Sequence, residues 1–444
     1  MTFALDGAPI FELQPVPEQT ALLRAETRRF ALEVIRPAAQ QLDQMSPAER
    51  IRPQSPLFDV LGQLKSLGYH RLFVAAGADI QATAAAQAVV LEELGWGSLG
   101  LATAFVVDML PFRLLHRMGG DAAHRELVVP WLDNQQELHG CWAVTEALHG
   151  SDALSLRDAA SGGFGPGELQ AEPAPGGWTL RGRKSAWVSS APIATHAVVR
   201  AQVGGASSPR STLLAVVDLD QLGVRRGPPV DMLGAREDPQ GELVFERVQV
   251  PASRVLAAPG PATVAVEDQV LGILSTALAN IAVGLARASF EAALHHARSR
   301  VQGGVPIAAH KNIQLTLYSM FEKTETARVY ARAALTHLAQ AAAQPEAGEG
   351  EVGGASARHT RTAQIYAKRI AFEVASDAVQ VLGAQGLSRD QPVEKWFRDA
   401  RSLLIQDGTV EVLALEAARD ILAGYEHDTP RSSGRGPNRW SRTW

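Results

Sequence analysis

The chain has 444 residues, too many for one hydrophobic core of ordinary size, so its length predicts two or three domains. A net charge of -5, with 46% hydrophobic and 20% charged residues, fits an ordinary globular protein and argues against a nucleic-acid partner. The single cysteine, Cys141, excludes an intramolecular disulfide and a cysteine-based zinc site. With neither a secretory signal nor a membrane-length apolar run in the sequence, we expect a cytoplasmic protein without membrane contact.

From Pro17 to about Gln136 the apolar residues recur at helical spacing. Helices should stop at Pro53 and Pro56, at Gly77 and at the pair Gly119 and Gly120. Residues 1–137 are therefore predicted to form an N-terminal α-helical domain.

Near His139 the pattern changes to short runs rich in Val, Trp and Thr, bounded by Gly and Pro. The predicted strands cover 141–146, 177–190, 195–203, 212–219 and 241–251. Their spacing predicts a middle antiparallel β-barrel or sandwich over 138–253.

The helical period then returns over 266–300, 308–343 and 359–382, with the glycine-rich 348–356 predicted as a loop. Such long apolar helices predict a C-terminal helical bundle over 254–427 that also contacts a partner chain. Residues 428–444, with four arginines among Ser, Gly and Pro, are predicted to be a disordered basic tail.

One stretch organises the last domain. A helix should end at Gly383 and Gly386, a second should open at Pro392, and Gly408 should break that helix just after a carboxylate, Asp407. The adjacent Arg398 and Asp399 are predicted to form an ion pair that stabilises the helix and has no catalytic role.

This stretch contains Q-x-L-G-x-x-G, P-V-E-K, R-D-A-R and an acid-G-T triplet in order, and it resembles the C-terminal signature of the acyl-CoA dehydrogenase family. The resemblance implies an α+β multidomain protein with an N-terminal α-helical domain, a middle antiparallel β-barrel domain and a C-terminal four-helix bundle. It also implies that Asp407 is the catalytic base, where the family normally has Glu. Some relatives place a Glu base in the first long C-terminal helix, but here an ungapped match puts Leu274 and Ser275 there.

Two further motifs resemble the family's FAD-binding strands. Thr145-Glu146 followed by Gly150-Ser151-Asp152 is similar to its T-E-P-G-x-G-S-D, with Ala147-Leu148-His149 substituted in the middle. The run 182–190 is similar to its G-x-K-x-W-I-T with one extra residue, although a tryptophan there could simply fill the barrel core. The flavin contacts implied on these strands are Trp142, Val144, Thr145, Ser151, Trp187 and Ser189.

A last group resembles the family's FAD contacts that cross between subunits. Arg300 is similar to the arginine of R-x-x-F-G, with Gly303 in place of Phe, and a guanidinium suits phosphate oxygens. A solvent-facing arginine at a helix end is the alternative for Arg300. The further FAD contacts implied are Gln380, Gly383, Gly386, Thr409 and Glu411, and those implied for the substrate are Ser151 and Gly408.

The resemblance implies α,β-desaturation of an acyl-CoA, with FAD as hydride acceptor, electron-transfer flavoprotein as electron acceptor, and a homodimer or homotetramer. No histidine has the spacing of a metal ligand set. Because Asp is about 1.5 Å shorter than Glu, three readings stay open. They are a dehydrogenase, for which cyclic or branched acyl groups are candidates, a nitroalkane-oxidase-like flavin oxidase, and a catalytically degenerate FAD-binding subunit of a heteromeric dehydrogenase.

Overall fold

A computed structural model describes Leu13 and residues 16–74, 79–154, 167–204, 209–343 and 351–428. Helices make up the first and last parts of the chain, and a sheet lies between them. The predicted helix break at Gly77 and the predicted tail from 429 onward lie outside the described residues, whereas residue 428 ends a helix.

The N-terminal helices begin where a polar side chain or a proline can satisfy the first turn. Ser55, Asp79 and Ser98 each accept a hydrogen bond from a backbone N–H two or three residues further on. Pro111 lies inside a helix without ending it. The helices are α1 (Glu18–Phe30), α2 (Arg36–Gln44), α3 (Pro47–Arg50), α4 (Pro56–Ser66), α5 (Tyr69–Leu72), α6 (Ile80–Gly97), α7 (Leu99–Met118), α8 (Asp121–Ala123) and α9 (Val129–Leu132), with π-helical turns at Ala31–Ile35 and His124–Val128.

The middle of the chain forms one sheet. Its strands are β1 (Gly140–Ala143), β2 (Gln170–Ala174), β3 (Gly177–Ser189), β4 (His196–Val203), β5 (Thr212–Asp218), β6 (Val224–Arg226), β7 (Gln240–Pro251) and β8 (Val255–Ala257). The strand order is β6-β7-β3-β2-β4-β5-β8, with β1 paired to β4. The pairings of β4 with β1 and with β2 are parallel and the others antiparallel, because the segments between these strands are long enough to cross over.

The C-terminal helices pack on one another and on α6. They are α10 (Pro261–Ser299), α11 (Lys311–Ala343), α12 (Glu351–Leu382), α13 (Pro392–Leu403) and α14 (Val410–Asp428), with a hairpin of β9 (Val301–Gln302) and β10 (Val305–Pro306) after α10. Gly272 lies near Thr360, and Ser275 bonds to Gln364, so α10 and α12 run in the same direction.

The predicted loop over 348–356 is wrong for its second part. Residues 351–356 form the first turns of α12. Glycine weakens a helix by about 1 kcal/mol per residue, but tertiary packing of the rest of α12 along α10 and α11 overrides that local preference.

Two glycines let α6 and α10 cross in backbone contact. A Cβ on Gly95 of α6 would lie 2.3 Å from the carbonyl oxygen of Ile281. A Cβ on Gly284 of α10 would lie 2.1 Å from the carbonyl oxygen of Glu92. Any side chain at either position would push the N-terminal helices away from the bundle.

Two helices are long and apolar enough to cross a membrane by length and composition. They are Leu99–Met118 and Pro261–Ser299, and 89% and 94% of their apolar windows are buried in the protein. We therefore assign both to the protein core, where a long helix that is apolar all round is expected.

We predict that Gly284→Ala lowers the free energy of unfolding by about 1–3 kcal/mol, because the added methyl group meets backbone atoms that cannot rotate away. Gly62 is the matched control: it lies in α4, and its Cβ would meet nothing within 4 Å. Gly62→Ala should stabilise the protein by up to about 1 kcal/mol through helix propensity. Urea unfolding of the two variants beside wild type measures both effects, and equal effects of the two substitutions would contradict the role of the crossing.

Candidate active site

Asp407 lies in a tight turn between α13 and α14. α13 ends at Leu403, and the backbone then enters the left-handed region at Asp407 (φ 49°) and Gly408 (φ 94°). The carboxylate is therefore carried by a turn after the helix and not by the helix end itself. Few residues other than glycine adopt this conformation, and such strain is common at functional sites.

Lys368 of α12 stabilises this turn by hydrogen bonds to its backbone. Its fully buried ammonium group donates to the carbonyl oxygens of Gln406, at 2.5 Å, and Gly408, at 3.0 Å. Burial lowers the pKa of Lys368 to about 8, and the negative charge of Asp407 acts against this shift. Burial likewise raises the pKa of Asp407 above its ordinary value, with the Lys368 charge opposing the rise.

A second contact joins the turn to α10. Gln364 of α12 donates to the backbone carbonyl of Asp407 at 3.3 Å and accepts from the Ser275 hydroxyl at 2.8 Å. The helix position where some relatives place their base is thus next to the same turn. A buried serine stands there and supports the turn through Gln364.

Ser151 connects the Gly150-Ser151-Asp152 loop to the Asp407 turn. Its hydroxyl oxygen accepts a 3.0 Å hydrogen bond from the backbone N–H of Thr409. The Gly150-Ser151-Asp152 loop and the Asp407-Gly408-Thr409 turn, which are far apart in sequence, are therefore in contact. Both the predicted base and its neighbours Gly408 and Thr409 lie beside this loop.

A buried ion pair joins the two motifs that resemble FAD-binding strands, which are residues 145–152 and 182–190. Lys184 of β3 contacts Glu146 at 2.5 Å and the carbonyl oxygen of Val144 at 3.0 Å. Thr145 and Ser185 share a 2.9 Å hydrogen bond between their hydroxyl groups. Burial lowers the pKa of Lys184 to about 8 despite the nearby Glu146 carboxylate. Glu146 and Lys184 thus have a structural role in aligning β1 with β3.

A bulge in β3 turns Trp187 outward. The register of β3 against β7 shifts between Lys184 and Val188, which accommodates the extra residue in this motif. Val188 is buried in the core, whereas Trp187 is 58% exposed and Ser189 on the same face is partly exposed. The alternative that Trp187 fills the core of the sheet is therefore wrong.

The remaining predicted contacts lie in β1, just after it, or at the start of α14. The side chains of Trp142 and Val144 are buried, so these two residues can offer a ligand only their backbone groups. Thr145 is partly exposed, and Glu411 is exposed in the first turn of α14.

Four predicted contacts of the other group lie at the far end of the bundle, whereas Thr409 and Glu411 directly follow the Asp407 turn. Arg300 follows Ser275 by about 25 residues along α10, or about 37 Å at the helical rise of about 1.5 Å per residue. Gln380 follows Gln364 by about 16 residues along the parallel α12, or about 24 Å. Arg300, Gln380 and Gly383 are exposed, and Gly386 is buried. Within one chain these four contacts are therefore remote from Asp407.

The expected pairing of Arg398 with Asp399 is wrong. Arg398 pairs with Asp43 and Glu394, while Asp399 pairs with Lys395 and accepts from the N–H of Ala235. Neighbours in a helix point in different directions, so adjacent residues seldom meet, whereas residues four apart do.

Three family models match the chain. They describe the N-terminal, middle and C-terminal domains of acyl-CoA dehydrogenase and match residues 17–134, 141–248 and 268–422. The chain belongs to the acyl-CoA dehydrogenase family. Members of this family are FAD-dependent oxidoreductases that act on CH–CH groups, and the three-domain fold expected from the sequence is confirmed.

Named relatives cover almost the full length. The probable acyl-CoA dehydrogenase fadE25 of Mycobacterium leprae is 29% identical over 94% of this chain and 98% of its own length. The mitochondrial short-chain specific acyl-CoA dehydrogenase of Rattus norvegicus is 27% identical over 94% and 93%. A glutaryl-CoA complex of glutaryl-CoA dehydrogenase has a TM-score of 0.78 at 23% identity, covering 92% of this chain and 96% of that one. Butyryl-CoA dehydrogenase of Megasphaera elsdenii has a TM-score of 0.77 at 22% identity, covering 92% and 99%.

The residues present fit an FAD molecule. An indole as exposed as that of Trp187 offers an apolar face to a flat ring, and Ser189 beside it offers a hydroxyl. Gly383 has a positive φ of 60°, and nothing lies within 4 Å of the position of its Cβ, so a ligand can approach its backbone closely.

Sequence reasoning missed Lys368 and Asp238. Lys368 gave a signal, since it stands on the apolar stripe of α12 together with Ala371 and Ala375, where a lysine must find buried acceptors. Asp238 gave none, because an acid before proline looks like an ordinary turn. The structure buries Asp238 completely.

We predict that Lys368→Met lowers the free energy of unfolding by about 2–4 kcal/mol, because two buried carbonyl oxygens lose their donor. Lys323→Met on α11 is the control, since Lys323 pairs with the half-exposed Glu373 and such a pair contributes less than about 1 kcal/mol. Urea unfolding of both variants gives the comparison. Equal stability of Lys368→Met and wild type would contradict the role of Lys368 in holding the turn.

Proposed function

We propose that this protein is an FAD-dependent acyl-CoA dehydrogenase that introduces an α,β double bond into an acyl-CoA thioester, with Asp407 as the base. The observation that carries the proposal is the contact between the Asp407 turn and the flavin-motif loop, made by the Thr409 N–H and Ser151. A carboxylate is thereby held beside the strands whose exposed face includes Trp187 and Ser189.

The chemistry needs a carboxylate that accepts the α proton while a hydride leaves the β carbon. FAD, when bound, supplies the hydride acceptor. Asp407 takes the proton, and its raised pKa makes it a better acceptor than an ordinary aspartate, while Lys368 keeps it ionised. The rate should therefore fall as pH drops through the pKa of Asp407, which lies above the ordinary 3.8.

Asp407 reaches about 1.5 Å less far than a glutamate in the same turn. A misplacement of roughly 1 Å can slow a reaction about a hundredfold. The substrate α carbon must therefore approach the turn more closely, and we infer that a compact acyl group, branched or cyclic, meets this requirement best.

We infer that the complete site takes residues from two subunits. Ser275, which contacts the Asp407 turn through Gln364, is about 37 Å along α10 from Arg300, so Arg300, Gln380, Gly383 and Gly386 serve the partner's FAD. Apolar side chains are exposed near the same end of the bundle, at Val301, Val305, Leu315, Tyr318 and Leu387, and a second copy would bury them. A homodimer or homotetramer follows.

The reduced flavin has to pass its electrons on. We infer that electron-transfer flavoprotein is the acceptor, as is typical of the family, and that the enzyme works in the cytoplasm. Rapid reoxidation by oxygen instead, together with turnover of nitroalkanes, would favour the oxidase reading.

We predict that Asp407→Asn binds FAD normally but is not reduced by any acyl-CoA, because the amide cannot accept the α proton. The measurement is the anaerobic visible spectrum before and after addition of straight, branched and cyclic acyl-CoAs. Wild type should bleach most with branched or cyclic esters.

Asp390→Asn is the matched control. Asp390 is exposed on the segment that leads into α13, and this variant should bleach like wild type. Full reduction of Asp407→Asn would rule out Asp407 as the base, and a wild-type spectrum that no ester changes would favour a degenerate subunit.

A mixing experiment tests the shared site. Asp407→Asn and Arg300→Gln should each be impaired as homo-oligomers, the first in reduction and the second in FAD affinity. Co-assembled subunits should regain activity, because one site then combines an intact Asp407 with the intact Arg300 of the other chain. The control mixes Asp407→Asn with Lys368→Met, two changes on the same side of one site, which should give no recovery. Recovery in neither mixture would contradict the assignment of Arg300 to the partner's FAD.

A further inference from the structure

A second acid, Asp238, is buried beside the Asp407 turn. It is 0% exposed and lies just before β7, on the segment 227–239 that connects β6 to β7. This segment also packs on α13, where the N–H of Ala235 donates to Asp399. Because α13 leads directly into the Asp407 turn, the segment brings Asp238 toward the site.

The two oxygens of Asp238 have different surroundings. Oδ1 accepts from the Ser190 hydroxyl at 3.1 Å. Oδ2 is buried and has no hydrogen-bond partner. The Ser189 hydroxyl is nearby and acts to lower the pKa of Asp238. Ser190 has a left-handed backbone (φ 60°), and its N–H bonds to the carbonyl of Pro239, which fixes β3 against this acid.

The Ser189 hydroxyl has only one proton to give. Its oxygen already accepts a 2.9 Å hydrogen bond from the amide of Gln240, so its proton is free to go either to Asp238 or to a ligand on the exposed face of β3. An ionised Asp238 would draw that proton toward itself, and a protonated Asp238 would leave it for the ligand.

Burial raises the pKa of Asp238 to about 7, the Ser189 and Ser190 hydroxyls act against the rise, and the charge of Asp407 adds to it. The buried Cys141 thiol on β1 is a further titratable neighbour of Asp238, and Lys368 on α12 faces Asp407 from the other side. Lys395 on α13 is held by Glu237 and Asp399. Burial and the negative charge of Asp407 both favour the protonated form of Asp238 while Asp407 is ionised.

We propose that Asp238 is a second acid of the site, protonated while Asp407 acts as the base, and that its ionisation withdraws the Ser189 hydroxyl from the flavin and places a negative charge beside it. The proposal deepens the proposed function and rests on it for the identity of the ligand on β3. Asp238 is a positioning residue, because it acts through Ser189.

The test is a pH titration of the visible spectrum and the midpoint potential of the FAD-loaded protein between pH 5.5 and 8.5, without substrate. Wild type should show a spectral transition near pH 7, and its potential should fall more steeply with pH through this range because the new charge disfavours the reduced flavin. Asp238→Asn, which keeps an oxygen for Ser190 and cannot ionise, should show neither. Asp231→Asn is the matched control: Asp231 is exposed on the same segment and paired with Arg236, and it should behave like wild type.

A wild-type spectrum without a transition near pH 7, or a transition that persists in Asp238→Asn, overturns the proposal. If Asp238→Asn does not fold, Ser189→Ala decides instead: loss of the hydroxyl should make the spectral response to pH smaller than in wild type, and a response of wild-type size overturns the proposal. The infrared band of a protonated carboxyl group gives a readout that needs no flavin, and it should disappear between pH 6 and 8 in wild type. If the flavin shows the transition near pH 7 but no acyl-CoA reduces it, the proposed function is rejected and this inference stands. If an acyl-CoA reduces the flavin but the transition is absent, this inference is rejected and the proposed function stands.

Discussion

The backbone contact between α6 and α10 fixes the position of the N-terminal helices relative to the C-terminal bundle. Gly95 and Gly284 allow the two helices to touch, and buried charges surround the crossing. Glu92 is held by Arg287, Arg328 and Arg332, and Glu93 by Arg28 and Arg287. Burial raises the pKa of Glu93 to about 7, only partly offset by Arg28, so this network contributes little net stability but would cost about 3–5 kcal/mol to break on one side. Its role is geometric, since it leaves one position for α10 and hence for Ser275, which contacts the Asp407 turn through Gln364.

Two electrostatic effects oppose each other at Asp407: burial raises the pKa of its carboxyl group, and the charge of Lys368 lowers it. Lys368 supplies a positive charge that acts on Asp407, and the charge of Asp407 in turn acts on the buried Asp238. Because all three are surrounded by protein, each charge acts on the others more strongly than it would in water. The proton affinity of Asp407 therefore depends on the Lys368 charge, although Lys368 bonds to backbone carbonyls of the turn and not to the carboxylate.

Periodicity was sufficient to predict the order of helices and strands, because each domain buries a long regular face. The motif around Asp407 was sufficient to single out a candidate base, and its catalytic role stays a prediction. The left-handed backbone at Asp407 could not be predicted, since it depends on Lys368, which is about 40 residues away in the sequence. The outward rotation of Trp187 depends on a bulge whose register is set by β7. The burial of Asp238 against Ser190 depends on a strand that is distant in sequence. The Gly-rich start of α12 is helical because neighbouring helices stabilise the rest of that helix.

The left-handed backbone at position 407 changes what the replacement of Glu by Asp means. Aspartate is found in this conformation several times more often than most residues, because its short polar side chain can bond to the local backbone. A glutamate at the same place would gain reach but give up part of that conformational preference. The shorter acid therefore combines two effects of opposite sign, a less favourable distance to the substrate and a less strained turn. Selection for a rigid turn and selection for a compact substrate would favour the same residue.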